Sequence, residues 1–187
     1  MTASKTLRRD ARDNAAKLRA AALDLFLAQG LDAPLNEIAR VSGVSVGTLF
    51  NRFGSREGLI DAVIPDIAAR RLQDLGAAVM TQETPRKRLE AFARGMIDLQ
   101  QGDPALNDAI LRRYPDAAAL LGVCDRSTAL GRDLVREAHA DGSLSPDFTE
   151  DDLFSLLWLA GTASREESAP PGWVRIVNRA LESAWTA

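Results

Sequence analysis

Hydrophobic residues recur along most of this chain with the spacing of amphipathic helices. The first clear example is a helix over about 13–29, in which apolar residues spaced i, i+4, i+7 and i+8 share one face: Leu18, Ala22, Leu25 and Phe26. Gly30 follows at the position where many helices end on a left-handed glycine. A shorter amphipathic segment then runs over about 35–42. The pattern therefore predicts two consecutive helices joined by a short loop.

The segment 43–53 predicts a second turn followed by a short helix. A glycine supplies the turn, and Ser45 is a suitable N-cap for a helix over about 46–52. A second glycine then interrupts the pattern, and Ser55 can cap a fourth helix. Two helices joined by a tight turn form the arrangement in which a helix-turn-helix places its second helix in a DNA groove. Residues 43–53 are therefore predicted to enter a groove of DNA.

Prolines and capping residues mark the helix boundaries of the remaining chain. Pro65 should kink or break the fourth helix, because proline lacks an N–H and clashes with the carbonyl four residues earlier. Thr84 and Asp103 each precede a proline, which suits an N-cap and the first helical position. Thr149 and Asp152 form a variant of the capping box. Further helices are predicted over about 65–80, 85–101, 105–113, 115–138, 153–165 and 173–185. No stretch has the alternation of a strand, so the predicted fold is all-α with nine to ten helices.

Composition restricts the class of protein. The 187 residues are 46% hydrophobic, which is enough for a core, and 26% charged. Apolar runs are much shorter than the ~20 residues of a membrane-spanning helix, and residues 1–13 lack the apolar region of a signal peptide. Cys124 is the single cysteine, which excludes an internal disulfide and suits a reducing compartment. A soluble cytoplasmic protein with no membrane partner is expected.

The charge distribution changes the picture that the net charge alone would give. The chain carries −3 overall, but residues 1–60 contain nine Lys and Arg against six Asp and Glu. A basic segment joined to an acidic one suggests a nucleic-acid-binding unit on a body with another task, although a chance fluctuation of surface charge is the alternative. Residues 1–12 are polar and basic without apolar periodicity, and they are predicted to form a flexible arm. Arg8, Arg9 and Arg12 could there contact the minor groove or the DNA backbone.

Several short motifs occur in order between residues 18 and 63. They are Ala21-Ala22-Leu23-Asp24-Leu25-Phe26, Gly30, Glu37-Ile38-Ala39, Gly43-Val44-Ser45, Gly47-Thr48-Leu49-Phe50, Phe53, Ser55-Arg56-Glu57 and Leu59. In order and spacing this run, about a quarter of the chain, resembles the N-terminal domain of TetR-family transcriptional regulators. The resemblance implies a three-helix helix-turn-helix domain over 13–64, with its recognition helix over 46–52. It also implies a helical body over 65–187 that binds an effector and dimerises.

The resemblance also implies a set of DNA-binding residues: Ser45, Val46, Gly47, Thr48, Phe50, Asn51, Arg52 and Arg56. Phe50 stands where the family usually has tyrosine, and Arg52 stands where histidine is common, so a hydroxyl is lost and a permanent cation is gained. Arg56 matches a basic residue at the start of the fourth helix, where a phosphate contact is expected. The helical angle alone leaves open whether Phe50 faces DNA or the core.

Candidate residues in the body follow from the same resemblance. The expected effector pocket consists of Phe92, Met96, Leu99, Asn107, Ile110, Tyr114, Leu121, Cys124 and Trp158. The expected dimer interface pairs the last two helices with those of a second copy through Leu153, Leu156, Leu157, Ala160, Val174, Val177, Leu181 and Trp185. For both sets the alternative is plain packing inside one chain.

The predicted function is that of a homodimeric repressor, released from a palindromic operator by a small-molecule effector. No catalytic residue, metal site or cofactor is predicted. One alternative is a dimeric ligand-binding or interaction protein without specific DNA readout. The other is a hydrolase, because residues 43–47 spell G-x-S-x-G around Ser45. That motif requires a preceding strand, whereas a helix is predicted there.

Overall fold

The computed structural model describes residues 2–111 and 114–186, and it describes side chains from residue 9 onward. Within those ranges the chain forms ten α-helices and no extended strand, which confirms the all-α prediction. The helices are α1 Thr2–Gln29, α2 Leu35–Ser42, α3 Val46–Phe53, α4 Arg56–Val63, α5 Pro65–Met80, α6 Pro85–Gly102, α7 Pro104–Ile110, α8 Ala118–Ala140, α9 Glu150–Arg165 and α10 Trp173–Glu182.

Helices α1 to α4 bury apolar side chains that form one part of the continuous core. The predicted apolar face of α1 supplies Leu18 and Phe26, both fully buried. Ile38 on α2, Leu49 on α3 and Leu59 on α4 are equally buried and close the core from the other side. Burying a large aliphatic or aromatic side chain contributes about 1.5–3 kcal/mol. The short helices α2 and α3 are therefore held by packing on α1, since eight-residue helices are marginal alone.

The N-terminal segment differs from its prediction. Helix α1 begins at Thr2, so residues 2–12 are helical, whereas a flexible arm was expected over 1–12. This stretch contains three arginines, two alanines, one lysine and one leucine and lacks glycine and proline, a composition that favours a helix. Arg9 lies 4.0 Å from Asp13, one turn later, which adds slightly to helix stability. The side chain of Arg8 lies outside the described residues.

Pro65 ends one helix and begins the next. Helix α4 stops at Val63, and Pro65 occupies the first position of α5, where its missing N–H is not needed. Ile64 joins the two helices with a side chain that is only 2% exposed. The sequence had left open a kink or a break, and the structure shows a break. The junction separates the four N-terminal helices from the body.

Helices of the body mostly follow the predicted caps. Thr149 accepts from the Asp152 amide at 3.2 Å, and Asp152 accepts in return from the Thr149 amide at 2.7 Å, which confirms the capping box. The predicted ends were less accurate. Helix α7 stops at Ile110 instead of 113, and α10 stops at Glu182 instead of 185, with Trp185 forming an isolated antiparallel bridge with Leu144.

Helix α6 lies at the centre of the body and packs against α5, α7, α8 and α9. Helices α1 to α4 contact this body where α1 meets α7 and where α4 meets α5 and α8. No helix in the part of the chain that is described is long and apolar enough to cross a membrane. Those same residues include no group of three or more His, Cys, Asp and Glu side chains placed to hold a metal ion.

Candidate DNA-binding surface and ligand cavity

The N-terminus of α3 is capped as predicted. Ser45 has extended backbone angles, and its hydroxyl accepts from the Thr48 amide at 3.2 Å. The Ser45 and Thr48 hydroxyls also lie 2.8 Å apart and share a hydrogen bond. Both side chains are therefore engaged in starting the helix. A DNA base that bonded to Thr48 would have to share or replace this partner.

The exposed side of α3 is sharply defined. Leu49 is fully buried and α3 packs against α1, α2 and α4, which fixes the rotation of the helix about its axis. As a consequence, the side facing away from the protein exposes Gly47, Phe50, Asn51 and Arg52. Phe50 is 45% exposed, so it faces outward and not into the core, which answers the question that helical angle left open.

Gly47 and Asn51 lie one turn apart in the middle of this outward side. A Cβ placed on Gly47 would meet only the Ser45 hydroxyl, 3.9 Å away, so the helix backbone is open to close approach. Asn51 extends an amide, which can bond to the N6 and N7 atoms of adenine as a pair. Arg52 adds a cation. The outward side of α3 therefore combines a flat centre with one amide, one aromatic ring and one positive charge.

Arg56 is placed differently from the expectation of a phosphate contact. Its Nη1 donates to the carbonyl of Leu31 at 2.8 Å and to that of Ala33 at 2.7 Å. The side chain is partly buried, and its charged end is turned toward the α1–α2 loop. Arg56 thus holds α4 to that loop. A contact between Arg56 and a phosphate stays a prediction.

A cavity of about 330 Å³ opens in the body between α5, α6, α8 and α9. Its walls are mainly apolar and include three aromatic rings, while hydroxyl and charged groups occupy part of the lining. The lining residues are Leu72, Phe92, Met96, Ile110, Leu111, Cys124, Ser127, Thr128, Arg132, Asp151, Phe154, Leu157 and Trp158. Arg132 lies 3.3 Å from Glu150 and 5.8 Å from the centre of the Phe154 ring. The cavity has the size and composition of a small-molecule site.

The cavity includes five of the nine residues that the sequence suggested: Phe92, Met96, Ile110, Cys124 and Trp158. Leu99 and Leu121 are half-buried elsewhere. Asn107 lies in the core, where its amide donates to the Gly161 carbonyl at 2.9 Å. Tyr114 donates to Asp32 and thus joins the body to the α1–α2 loop. Burial and this hydrogen bond raise the pKa of the Tyr114 phenol far above its ordinary value.

Most of the polar part of the cavity wall was not predicted from the sequence. Ser127, Arg132 and Asp151 are not part of any apolar helical stripe, so periodicity could not select them. Spacing offered one signal, because Ser127 lies three residues after Cys124 and thus on the same side of α8. Asp151 lies in the first turn of α9, and only packing shows that it also borders the cavity.

The predicted dimer interface needs correction. Five of its eight residues are buried within the chain's own core: Leu153, Leu157, Ala160, Val177 and Leu181. Leu156 and Trp185 are half-buried, and Val174 is 37% exposed. The apolar side chains that α9 and α10 do leave exposed are Trp158, Leu159, Val174 and Ile176, at 55%, 51%, 37% and 60%. We call these four residues the α9–α10 patch. That α9 and α10 form the interface stays a prediction, and the residues selected lie mostly on sides that pack inward, because periodicity does not distinguish two apolar sides.

The hydrolase alternative finds no support in the geometry. Helix α2 precedes Ser45 where a nucleophile elbow needs a strand, and the Ser45 hydroxyl caps α3. The single histidine, His139, has its Nε2 atom 2.9 Å from the carbonyl of Phe148. Serine and histidine therefore have separate local partners. The fold and the outward side of α3 define a helical protein of the helix-turn-helix class with a cavity-bearing body.

Comparison with known proteins gives this class a family. Residues 18–63 match the model described as bacterial regulatory proteins of the tetR family. The chain is 36% identical over 98 residues to the HTH-type transcriptional regulator BetI of Rhizobium meliloti, a match that covers 52% of this chain and 48% of that protein. It is 30% identical over 110 residues to BetI 1 of Chromohalobacter salexigens, covering 51% and 50%. The chain thus spans about half the length of the curated relatives it matches. Residues 18–63 therefore form a tetR-family domain.

Solved structures extend the likeness to the whole fold. The TetR transcription regulatory protein of Mycobacterium vanbaalenii has a TM-score of 0.54 at 27% identity, covering 96% of this chain and 99% of that one. FadR of Bacillus subtilis, crystallised with stearoyl-CoA, has a TM-score of 0.64 at 15% identity and covers 89% and 95%. KstR2 of Mycobacterium tuberculosis, described as a ketosteroid transcriptional regulator, has 0.60 at 17%, with 92% and 95% covered. At 15% and 17% identity, the last two show a shared fold only.

Proposed function

We propose that the chain is a DNA-binding transcriptional repressor that acts as a homodimer and leaves a palindromic operator when a small molecule occupies its cavity. The observation that carries the proposal is the outward side of α3, in which Leu49 anchors the helix and exposes Phe50, Asn51 and Arg52 together. This helix lies within the segment that matches the tetR model. The experiments below test each part separately.

In this proposal, three side chains of α3 contact different parts of the DNA. Asn51 pairs with adenine in the major groove, the contact that an asparagine amide makes best. The Phe50 ring meets the methyl group of thymine, and Arg52 bonds to a phosphate oxygen. Gly47 lets the helix backbone approach the base edges closely, since little lies beside its Cα. Ser45 and Val46 support the start of the helix, with Thr48 sharing its hydroxyl between Ser45 and the DNA.

A second copy of the chain is needed to give a palindromic operator. The α9–α10 patch supplies an apolar surface on two helices that pack against each other. Two copies related by a two-fold axis would bury these side chains in a four-helix arrangement. Two copies of α3 would then reach successive major grooves about 34–36 Å apart. The patch therefore links dimerisation to the operator's symmetry.

The cavity defines the proposed effector as a compact, largely apolar molecule. A volume of about 330 Å³ lies near the lower limit for drug-sized ligands. Phe92, Phe154 and Trp158 offer aromatic contacts, whereas Ser127 and Thr128 offer hydroxyl groups for one polar part of the ligand. Such a ligand can weaken DNA binding only by preferring the conformation that binds DNA less well.

The test is a selection from randomised DNA duplexes with the purified protein, followed by gel-shift titration at fixed salt. Enrichment of a palindrome is expected. Asn51→Ala should then lose about 1–3 kcal/mol of binding energy, with the loss confined to operators that carry adenine at one position of each half-site. Asn178→Ala, a change on α10, is the matched control. A selection without any enriched sequence would favour a ligand-binding protein that does not read DNA.

A further inference from the structure

We infer that Asp108 is the positioning residue through which the cavity acts on the DNA-binding helices. Asp108 lies on α7, whose C-terminal end borders the cavity, and it holds the α1–α2 loop (30–34) of the DNA-binding unit. The inference rests on the proposed function for its biological meaning, because it names the route by which an occupied cavity changes DNA binding. Its structural basis is independent of any operator.

Asp108 reaches the α1–α2 loop directly. Its side chain is fully buried, and its Oδ2 accepts from the backbone amide of Leu31 at 2.8 Å, across 77 residues of sequence. Arg165 on α9 has its Nε 3.7 Å from the other carboxylate oxygen, and its Nη2 donates to the carbonyl of Gln29 at 2.9 Å. The carboxylate and the guanidinium therefore hold the backbone on both sides of Gly30.

The close fit at Gly30 shows how tightly the loop is held. Gly30 has a backbone φ of +93°, a conformation that residues other than glycine rarely adopt. A Cβ at this position would also collide with the Asp108 carboxylate and the Arg165 guanidinium. The body thus touches the loop at its Cα, so a shift of Asp108 must either move the loop or break its bond to Leu31.

The same short helix carries the cavity wall. Ile110 lies two residues after Asp108, and both it and Leu111, the C-cap residue, border the cavity. Cys124, another lining residue, places its thiol 3.6 Å from the carbonyl of Ala109. Helix α7 has only seven residues, and its backbone hydrogen bonds make it move as a unit. A ligand that pushes Ile110 outward therefore displaces Asp108.

Contacts at the other end of α7 limit how it can move. Asp103 caps α7 through the Leu106 amide at 3.0 Å and pairs with Arg71 of α5. Asn107 donates to the Gly161 carbonyl of α9 at 2.9 Å. Because Asp103 and Asn107 are held by α5 and α9, the inference requires α7 to pivot about its first four residues, so that its C-terminal end moves most. That end contains both the cavity residues and Asp108.

A double-mutant cycle tests the route. Thr128→Phe places a ring in the cavity as a substitute for ligand, and Asp108→Ala removes the link to Leu31. On the operator obtained by selection, the cavity-filling change is expected to weaken binding by about tenfold in the native background and by less than about twofold when Asp108 is absent, within the usual range of coupling between sites. Equal weakening in both backgrounds would overturn the inference.

Asp61→Ala is the matched control for this cycle. Asp61 is also a carboxylate that joins the two parts of the chain, because it accepts from the amides of Ala119 and Leu120 at 3.2 and 3.1 Å. It lies on α4 and does not contact α7 through those bonds. The effect of Thr128→Phe should therefore survive Asp61→Ala. If Asp61→Ala abolishes it as Asp108→Ala does, the coupling is not specific to Asp108 and the inference fails.

Amide hydrogen exchange measured by NMR gives a readout that needs no DNA. In the Thr128→Phe protein, with Asp108 intact, the Leu31 amide should exchange about tenfold faster than in the native protein. The Gly58 amide, which bonds to the Ser55 hydroxyl at 3.1 Å, should be unchanged. Unchanged exchange at Leu31 would overturn the inference even if Asp108→Ala fails to fold. Failure of the native protein to select an operator would instead refute the proposed function.

Discussion

The guanidinium of Arg56 donates a hydrogen bond to the backbone carbonyl of Leu31, 2.8 Å away and 25 residues earlier in the chain. The same nitrogen also donates a hydrogen bond to the carbonyl of Ala33. Leu31 in turn gives its amide to Asp108. Leu31 is thus held on one side by α4 and on the other by α7. The loop is one of the places where helices α1 to α4 meet the body, together with the contacts of α4 with α5 and α8.

Arg56→Ala should therefore destabilise the protein and leave the salt dependence of DNA binding nearly unchanged. Two carbonyl groups lose a charged donor, which costs about 1–3 kcal/mol. Urea denaturation measures this loss, and Arg56→Lys should recover part of it. If Arg56→Ala instead reduces the slope of log affinity against log salt, Arg56 contacts phosphate and the positioning role is wrong.

Arg52→Ala should leave stability nearly unchanged and should reduce the salt dependence of DNA binding. Arg52 is exposed on the outward side of α3, so its removal should leave the free energy of unfolding almost unchanged. Loss of one phosphate contact per protomer should reduce the salt slope by about 1 for each contact. Gel shifts over a range of salt concentrations measure the slope. Arg94→Ala, an equally exposed change on α6, is the control and should leave the slope at its native value.

Charge placed in the α9–α10 patch should dissociate the proposed dimer. In a variant that combines Trp158→Glu with Ile176→Glu, each protomer would bury two carboxylates in the interface. Apolar packing does not offset the free-energy cost of burying these charges. Analytical ultracentrifugation should then show a monomer that keeps its native helical content. Met80→Glu alters an equally exposed apolar residue outside the patch and should leave the association unchanged. A dimer that persists in the double variant would place the interface elsewhere.

Tyr114 should resist ionisation as long as the protein is folded. Burial first, and then the hydrogen bond to Asp32, raise the pKa of its phenol. The neutral form is favoured, so the contribution to stability is present below the ordinary pKa of tyrosine and is lost as the pH rises above it. Tyr114 is the chain's single tyrosine, so tyrosinate absorbance during an alkaline titration reports this group alone.

The control for that titration is Asp32→Asn, which removes the charge that opposes ionisation. Its tyrosinate signal should appear at lower pH than in the native protein, while the denatured forms of both proteins should titrate together. Native Tyr114 that ionises at the ordinary pKa would show that the bond to Asp32 is absent in solution. The same titration thus also probes the contact between the body and the α1–α2 loop.

Local chemistry in the sequence was enough to place most helix starts. Ser45, Ser55, Thr84 and Thr149 cap helices where predicted, because each bond joins residues only three positions apart. Helix ends were harder to predict. Trp185 had been assigned to the last helix, but it pairs with Leu144 in the structure, a contact that depends on distant packing.

The sequence by itself determined that the chain is all-α, that 46–52 is the outer helix of a helix-turn-helix, and that α9 and α10 carry surplus apolar residues. Only the tertiary structure decided the direction in which each side chain points. Phe50 is exposed because Leu49 occupies the core, and Arg56 turns inward because two loop carbonyls need donors. Trp158 borders the cavity and is also exposed, whereas Leu153 is core. Periodicity predicts which side of a helix is apolar. Whether a residue on that side is buried depends on the helix that packs against it, and that helix lies far away in sequence.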